Sequence, residues 1–207
     1  MSAFCNEASI RIRKYSNAIA KELFRKSIHI CSAFVPFFLS RWYLQTLIAL
    51  FAALICYCIS EELRLHGKTV PLISAITAAA ARKRDENKFV LGPVTLCSGI
   101  ILCALLIRPV SAASVGIFAL AFGDGIASLM GKLFGRVHIP FTSGKSVAGS
   151  LSCFTAIFCA TYLFTKNTIA ALIIALCGMI IEVIPLKDMD NIAIPVIIGF
   201  IATFLLP

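Results

Sequence analysis

One segment concentrates the residues able to do chemistry: residues 122–150, FGDGIASLMGKLFGRVHIPFTSGKSVAGS. Asp124, held between Gly123 and Gly125, is the only charged residue from Pro109 to Met130. Gly131, Lys132, Gly135, Arg136, Gly144, Lys145 and Ser146 follow it. A carboxylate, a pliant backbone and fixed positive charges are what binding a metal–polyphosphate requires, because phosphoryl transfer depends on metal, cations and alignment more than on covalent chemistry. Glu182 is a second carboxylate bordering an apolar run, followed by Pro185, Lys187, Asp188, Asp190 and Asn191. Carboxylates at membrane depth are costly unless paired or coordinating, so they mark function. Asp124, Glu182 and Asp190 together offer oxygen ligands to Mg²⁺, which takes a few carboxylates plus substrate phosphates.

Other motifs are weaker. Arg25 and His29 stand four residues apart and share a helix face. Snorkelling at a helix end accounts for Arg25 and Lys26, but gives no reason for His29. The run from Thr142 to Ser146 is no Walker loop, since Ile139 stands where that pattern needs glycine and no strand–turn–helix context exists. What survives is a Gly-Lys-Ser turn opening a helix, where backbone N–H groups and Lys145 can hold phosphate. Gly131 and Gly135 also have helix-packing spacing, although Lys132 and Arg136 beside them suit a phosphate loop better. Glu61, Glu62 and Arg64 read as a solvated loop. His66 and His138 have no obvious partners, and no Ser-His-Asp set stands out.

The elements that must position these groups are membrane helices. The chain has 207 residues, 59% hydrophobic and 14% charged, with mean hydropathy +0.94. Soluble domains run about 45–50% apolar and about 25% charged. The fold class is all-α, a polytopic integral membrane protein with about seven transmembrane helices. Their segments begin at Ser27, followed by Trp42–Ser60, Phe89–Ile107, Pro109–Met130, Ser146–Thr165, Asn167–Leu186 and Asn191–Pro207. Val70–Ala81 is too short to span and reads as a re-entrant or packed helix. Residues 1–26 read as a cytoplasmic amphipathic helix on the membrane surface, with Ile10, Ile12, Ile19 and Leu23 on its apolar side. Residues 27–207 form one membrane-embedded catalytic domain.

The net charge of +9 lies in clusters between apolar runs, which argues for the positive-inside pattern and against a nucleic-acid partner. The polar segments 61–69, 82–88, 131–145 and 187–190 then face the cytoplasm, with Arg41, Arg108 and Lys166 outside, the N-terminus in and the C-terminus out. The nine cysteines lack CxxC or metal spacing and read as small core residues. No apolar run precedes the first cations, so the start does not read as a cleavable signal peptide.

The ordered set Arg25-Lys26-x-x-His29, Glu61-Glu62-x-Arg64, Gly92-Pro93, Phe122-Gly-Asp-Gly through Arg136, Lys145-Ser-x-x-Gly-Ser150 and Glu182…Asp190-Asn191…Pro195 resembles the polyprenol kinase family: dolichol kinase, phytol kinase and CTP-dependent diacylglycerol kinase. The resemblance covers nearly everything from Arg25 to Pro195, and it extends distantly to CDP-diacylglycerol synthases. It implies a kinase moving the γ-phosphate of CTP, or another nucleoside triphosphate, to a membrane lipid alcohol with Mg²⁺ at the cytoplasmic face. Carried over by motif, Asp124, Lys145 and Asp190 are the catalytic candidates, with Asp124 preferred over Asp190 as base. Arg25, Lys26, His29, Gly123, Gly125, Lys132, Arg136, Ser146 and Asn191 would hold nucleotide and phosphates, and Asp124, Glu182 and Asp190 the metal.

Two alternatives remain. A phosphatidate cytidylyltransferase uses the same donor and metal, but its Pro-Gly-His-Gly-Gly signature is absent here. A small ion-coupled transporter would use Asp124 and Glu182 as cation sites, which the neighbouring cation-rich loops disfavour. The partners expected are a lipid alcohol, a nucleoside triphosphate and the bilayer, with a homodimer left open. The location expected is the inner membrane of a bacterium or an endoplasmic-reticulum-type membrane of a eukaryote.

Overall fold

The computed structural model describes residues 19–68, 70–80, 88–142 and 144–206. The reading of residues 1–18 as surface helix, and the cations Arg82, Lys83 and Arg84, lie outside the described residues. Within them the chain is all-α: the first helix (α1) runs through 19–31, passes through a 3₁₀ turn at Ser32–Phe34 and continues as α2, Val35–Arg41. Then follow α3 (Tyr43–Leu65), α4 (Pro71–Ala80), α5 (Gly92–Leu106), α6 (Val110–Phe118), α7 (Gly125–Phe134), α8 (Val147–Thr165), α9 (Thr168–Val183) and α10 (Asp190–Leu205).

Length and composition sort these helices. Four helical stretches, Tyr43–Leu65, Val110–Phe134, Val147–Thr165 and Lys187–Leu205, are long and apolar enough to cross a membrane, and two shorter apolar helices lie at Gly92–Leu106 and Thr168–Val183. At about 1.5 Å per residue, the ten residues of α4 reach only half of a bilayer's hydrocarbon core. Leu44, Ile48, Phe51, Ile55 and Ile59 along α3, and Phe200 and Phe204 on α10, are exposed, as residues meant to face lipid are.

Val110–Phe134 is the central stretch, and its α6 half is buried almost throughout. Alanines, Ser114 and Gly116 keep that half thin, so α10 packs directly on it and on α5. A Cβ on Gly116 would stand 2.2 Å from the Pro195 carbonyl oxygen, and one on Gly99 would stand 2.1 Å from that of Asn191. Small residues let membrane helices approach this closely, which substitutes for a hydrophobic driving force that lipid does not provide. Ser146 caps α8 by accepting from the Gly149 N–H at 3.2 Å, and Asn167 caps α9 by accepting from Ala170 at 3.0 Å.

The charged groups separate to two ends. At one, Arg108 lies over the Tyr43 ring at 4.4 Å, and the Tyr43 hydroxyl donates to the Ala104 carbonyl. At the other, the starts of α5 and α10 meet where the Asn191 amide donates to Thr95 Oγ1 at 2.9 Å. That end carries the polar side chains that the sequence singled out. The Glu61 motif is there too, and it is not a solvated loop. Glu61 is 1% exposed, accepts from Arg64 Nε at 2.9 Å and Nη2 at 2.7 Å, and accepts from the Val90 N–H at 2.8 Å. Arg64 also donates to the Lys88 carbonyl at 2.8 Å. The group ties the end of α3 to the segment leading into α5.

Candidate functional site

Between α6 and α7 the backbone loosens into a π-helical turn, Ala119–Asp124. Such turns insert an extra residue into the helical register and recur at functional sites. Here the turn ends at Asp124, which is 8% exposed and faces α1. Gly123 fits against Ile157 of α8, and Gly125 against Ile30 of α1, so neither glycine has room for a side chain without displacing its neighbour.

The opposing face of α1 carries Glu22, Lys26 and His29, all buried, at spacings of four and three residues. This is one stripe of a 3.6-residue helix. Lys26 Nζ donates to Asp124 Oδ2, and His29 Nδ1 lies 3.1 Å from the same oxygen without the alignment of a hydrogen bond. A second pair closes from the far side, where Lys145 Nζ is 3.1 Å from Glu182 Oε1. A third centres on Glu22, which receives Arg25 and Lys132 as ion-pair partners and the Ser128 hydroxyl at 3.3 Å. Burial opposes ionisation of Glu22, but Arg25, Lys132 and Lys26 outweigh it and hold its carboxyl below the usual range.

These pairs surround one cavity of about 510 Å³. Its lining includes four cations, Arg25, Lys26, Lys132 and Lys145, and four carboxylates, Glu22, Asp124, Glu182 and Asp190. Gly131, Gly135, His138, Gly144, Ser146 and Gly149 supply much of the rest. Three atoms at this site are buried without a hydrogen-bond partner among the described residues: Arg25 Nε, His29 Nδ1 and Glu182 Oε2. Buried groups left unsatisfied in an otherwise paired cluster mark a place that a ligand completes.

The segment that carries Gly135, His138, Gly144, Lys145 and Ser146 lines part of the cavity. It folds back on itself through Ile139 N–H to the Lys145 carbonyl at 2.9 Å and Val147 N–H to the Val137 carbonyl at 3.0 Å. Gly144 turns the chain with φ +91°, a conformation that suits glycine. The N–H groups of Val147 and Gly149 are thus already taken, the second by Ser146 Oγ. The expectation that backbone N–H groups at the start of α8 hold phosphate is corrected to that extent. Lys145 is what the turn presents to the cavity. Gly131 and Gly135 do double service, packing against Ser146 while lining the cavity.

Of the sequence-predicted residues, Asp124, Lys145, Asp190, Glu182, Arg25, Lys26, Lys132 and Ser146 line this cavity. His29 reaches it through Asp124. Gly123 and Gly125 shape the backbone behind Asp124. Arg136 is exposed and outside the lining, and Asn191 is spent on Thr95. Asp190 is close enough to interact electrostatically with Asp124, Lys26 and Lys145. The three carboxylates expected to share a metal border one cavity, yet among the described residues no three acidic, histidine or cysteine side chains converge on a common point. Oxygen donors of this kind still fit Mg²⁺, which leaves most of its coordination to phosphate and water. Glu182 Oε2, buried with no hydrogen-bond partner among the described residues, is one such donor.

Glu22 and His138 are the lining residues that sequence reasoning missed. Glu22 was legible in principle, because it falls on the same helical stripe as Lys26 and His29. His138 had no such signal, since only the fold of the loop brings it to the cavity.

No protein-family model and no solved structure matches the chain. Curated proteins do. A probable chloroplastic phytol kinase of Zea mays is 26% identical over 209 residues, covering 90% of this chain and 68% of that protein. Phytol kinase 1 of Arabidopsis thaliana, also chloroplastic, is 26% identical over 201 residues, covering 86% of this chain and 65% of that protein. The chain therefore spans about two thirds of the length of these plant relatives. An uncharacterized protein of Methanocaldococcus jannaschii is 25% identical over 185 residues, covering 87% of this chain and 92% of its own length.

Proposed function

We propose that the chain, similar to phytol kinases over most of its length, is a membrane lipid kinase of the polyprenol and phytol type, transferring the γ-phosphate of CTP to the hydroxyl of a long-chain lipid alcohol at the cytoplasmic face. The observation that carries the reading is the cavity that gathers Arg25, Lys26, Lys132 and Lys145 against Asp124, Glu182 and Asp190 at the polar end of an apolar bundle. Four carboxylates balance the four cations, but lysines and an arginine able to turn to phosphate oxygens serve a metal-bound polyphosphate and have no use for a bare cation, which argues against a transporter.

In this mechanism the ion pairs are exchanged rather than simply filled. Lys26, Lys132 and Lys145 turn from their carboxylates to phosphate oxygens, and Arg25 adds a donor through its unpartnered Nε. Asp124 and Glu182 are thereby freed, and with Asp190 they would hold Mg²⁺. The bound metal would neutralise charge on the transferring phosphoryl group. Asp124 takes the proton of the lipid hydroxyl, with Asp190 next in line. The hydroxyl oxygen bonds to the γ-phosphorus as the bond to the β-phosphate's bridging oxygen breaks, leaving the nucleoside diphosphate.

The test uses purified protein with Mg²⁺, γ-labelled CTP, and a panel of phytol, polyprenols, diacylglycerol and phosphatidate. Label in a lipid alcohol supports the kinase, and replacing CTP with other nucleotides settles the donor. Labelled pyrophosphate released with phosphatidate would establish the cytidylyltransferase in its place.

A further inference from the structure

Of the three orphaned atoms around the catalytic cavity, the proposed reaction uses two: Arg25 Nε toward phosphate and Glu182 Oε2 toward the metal. The third, His29 Nδ1, has no task in it. His29 is 5% exposed and stands behind Asp124 rather than in the cavity lining. Its Nδ1 lies 3.1 Å from Asp124 Oδ2, the same oxygen to which Lys26 Nζ donates. Two partners therefore address one oxygen. Lys26 holds it, and His29 waits within reach but out of alignment.

The arrangement has two costs, and they belong to different states. With Lys26 in place, a buried imidazole nitrogen goes unmet. With Lys26 drawn to phosphate, the buried Asp124 carboxylate loses its cation, which is strongly unfavourable unless another donor replaces it. Passing Oδ2 from Lys26 to His29 relieves both at once. The local structure permits the exchange. Lysine is a flexible point charge that can swing away. The backbone of His29 is pinned, because the Ser32 hydroxyl donates to its carbonyl at 2.5 Å and the neighbouring Ile30 packs 3.2 Å from where a Cβ on Gly125 would stand. Only the ring has to turn.

We propose that His29 is a positioning residue, which takes over Asp124 Oδ2 when nucleotide draws Lys26 away and holds the carboxylate in register by donating from Nδ1–H. Both contacts of the resting state fall on Oδ2, so the exchange leaves Oδ1 to the reacting groups throughout. A neutral imidazole orients the carboxylate without cancelling its charge, as partners behind a working carboxylate do. The assignment rests on the lipid-kinase reading only for what draws Lys26 off.

The test reads the ring directly. The chain has three histidines, so ¹⁵N-histidine labelling of the purified protein in detergent gives at most three ring patterns, and His29→Asn identifies one of them. Titrating the unmutated protein with Mg²⁺ and β,γ-methylene CTP is expected to move the His29 Nδ1 resonance to a hydrogen-bonded position. Lys26→Met is expected to produce the same movement without nucleotide, since it vacates Oδ2 and keeps the apolar stem. In turnover, His29→Ala is expected to lower kcat on the order of tenfold with KM for CTP changed less than about twofold, and His29→Asn, whose amide nitrogen stands near Nδ1, to recover most of the loss. A His29 signal that stays put in folded Lys26→Met, or under nucleotide that binds, overturns the proposal. So does a raised KM for CTP with kcat kept in His29→Ala, which would make His29 a phosphate ligand. No binding of the nucleotide analogue would instead sink the kinase reading, and the Lys26→Met spectrum would still decide the role of His29.

Discussion

Two regions at the same end of the bundle hold carboxylates against cations, and they differ in what is left over. Around Glu61 the carboxylate is fully engaged: it accepts from Arg64 Nε and Nη2 and from the Val90 N–H, and Arg64 Nη2 also donates to the Lys88 carbonyl. Around Asp124 and Glu182 the charged partners are lysines, with His29 also beside Asp124; a donor atom of Arg25 and an oxygen of Glu182 are unmet, and the groups border one cavity. Arginine presents a fixed fork suited to permanent bidentate pairing, whereas lysine is a flexible point charge able to move between partners. The closed cluster is a fastening. The open one is a site held ready for exchange.

Mutation should break the two regions in opposite ways. The largest effect is expected at the open site. Asp124→Ala and Lys145→Ala should each cut transfer of labelled phosphate by about a hundredfold or more while the protein still elutes folded in detergent. Wild-type-like turnover in either would remove that residue from the chemistry. Glu61→Ala should do the reverse, costing about 3 kcal/mol because it strands the Val90 N–H and unpairs Arg64. Thermal unfolding in detergent would show it, and KM for CTP should not move. A shifted KM with unchanged stability would make the Glu61 cluster part of the site.

Glu22→Gln sits between these extremes, because Glu22 orients Lys132 and Arg25 without being placed to meet the reacting atoms. KM for CTP should rise roughly fivefold with kcat nearly constant, the cost of misplacing bound cations. An equal fall in kcat would give Glu22 a direct role. Arg136→Ala should have the smallest effect, under about threefold and reduced further by salt, since its side chain is exposed and outside the lining. A large, salt-independent loss would mean that the loop closes on the donor and brings Arg136 in.

The resemblance to polyprenol kinases was legible because glycines, acids and cations occur in one order along the chain, and the relatives bear it out. The helical membrane class was legible from composition, since long apolar runs that enter lipid must satisfy their backbone internally. Glu61 was misjudged because a polar triplet between apolar runs looks the same whether it meets water or a neighbouring backbone.

What the sequence determined alone, then, is the class, the family resemblance and the residue types that chemistry needs. Those follow from local composition and motif order. Which carboxylate faces which cation was decided only by tertiary structure. The π turn sets the register of Asp124, the glycines set how near the helices come, and the return of α9 brings Glu182 to Lys145. Such pairings join residues up to 110 positions apart, as Glu22 and Lys132 are. Their partners are selected by how helices pack in three dimensions, and no periodicity along the chain encodes that choice.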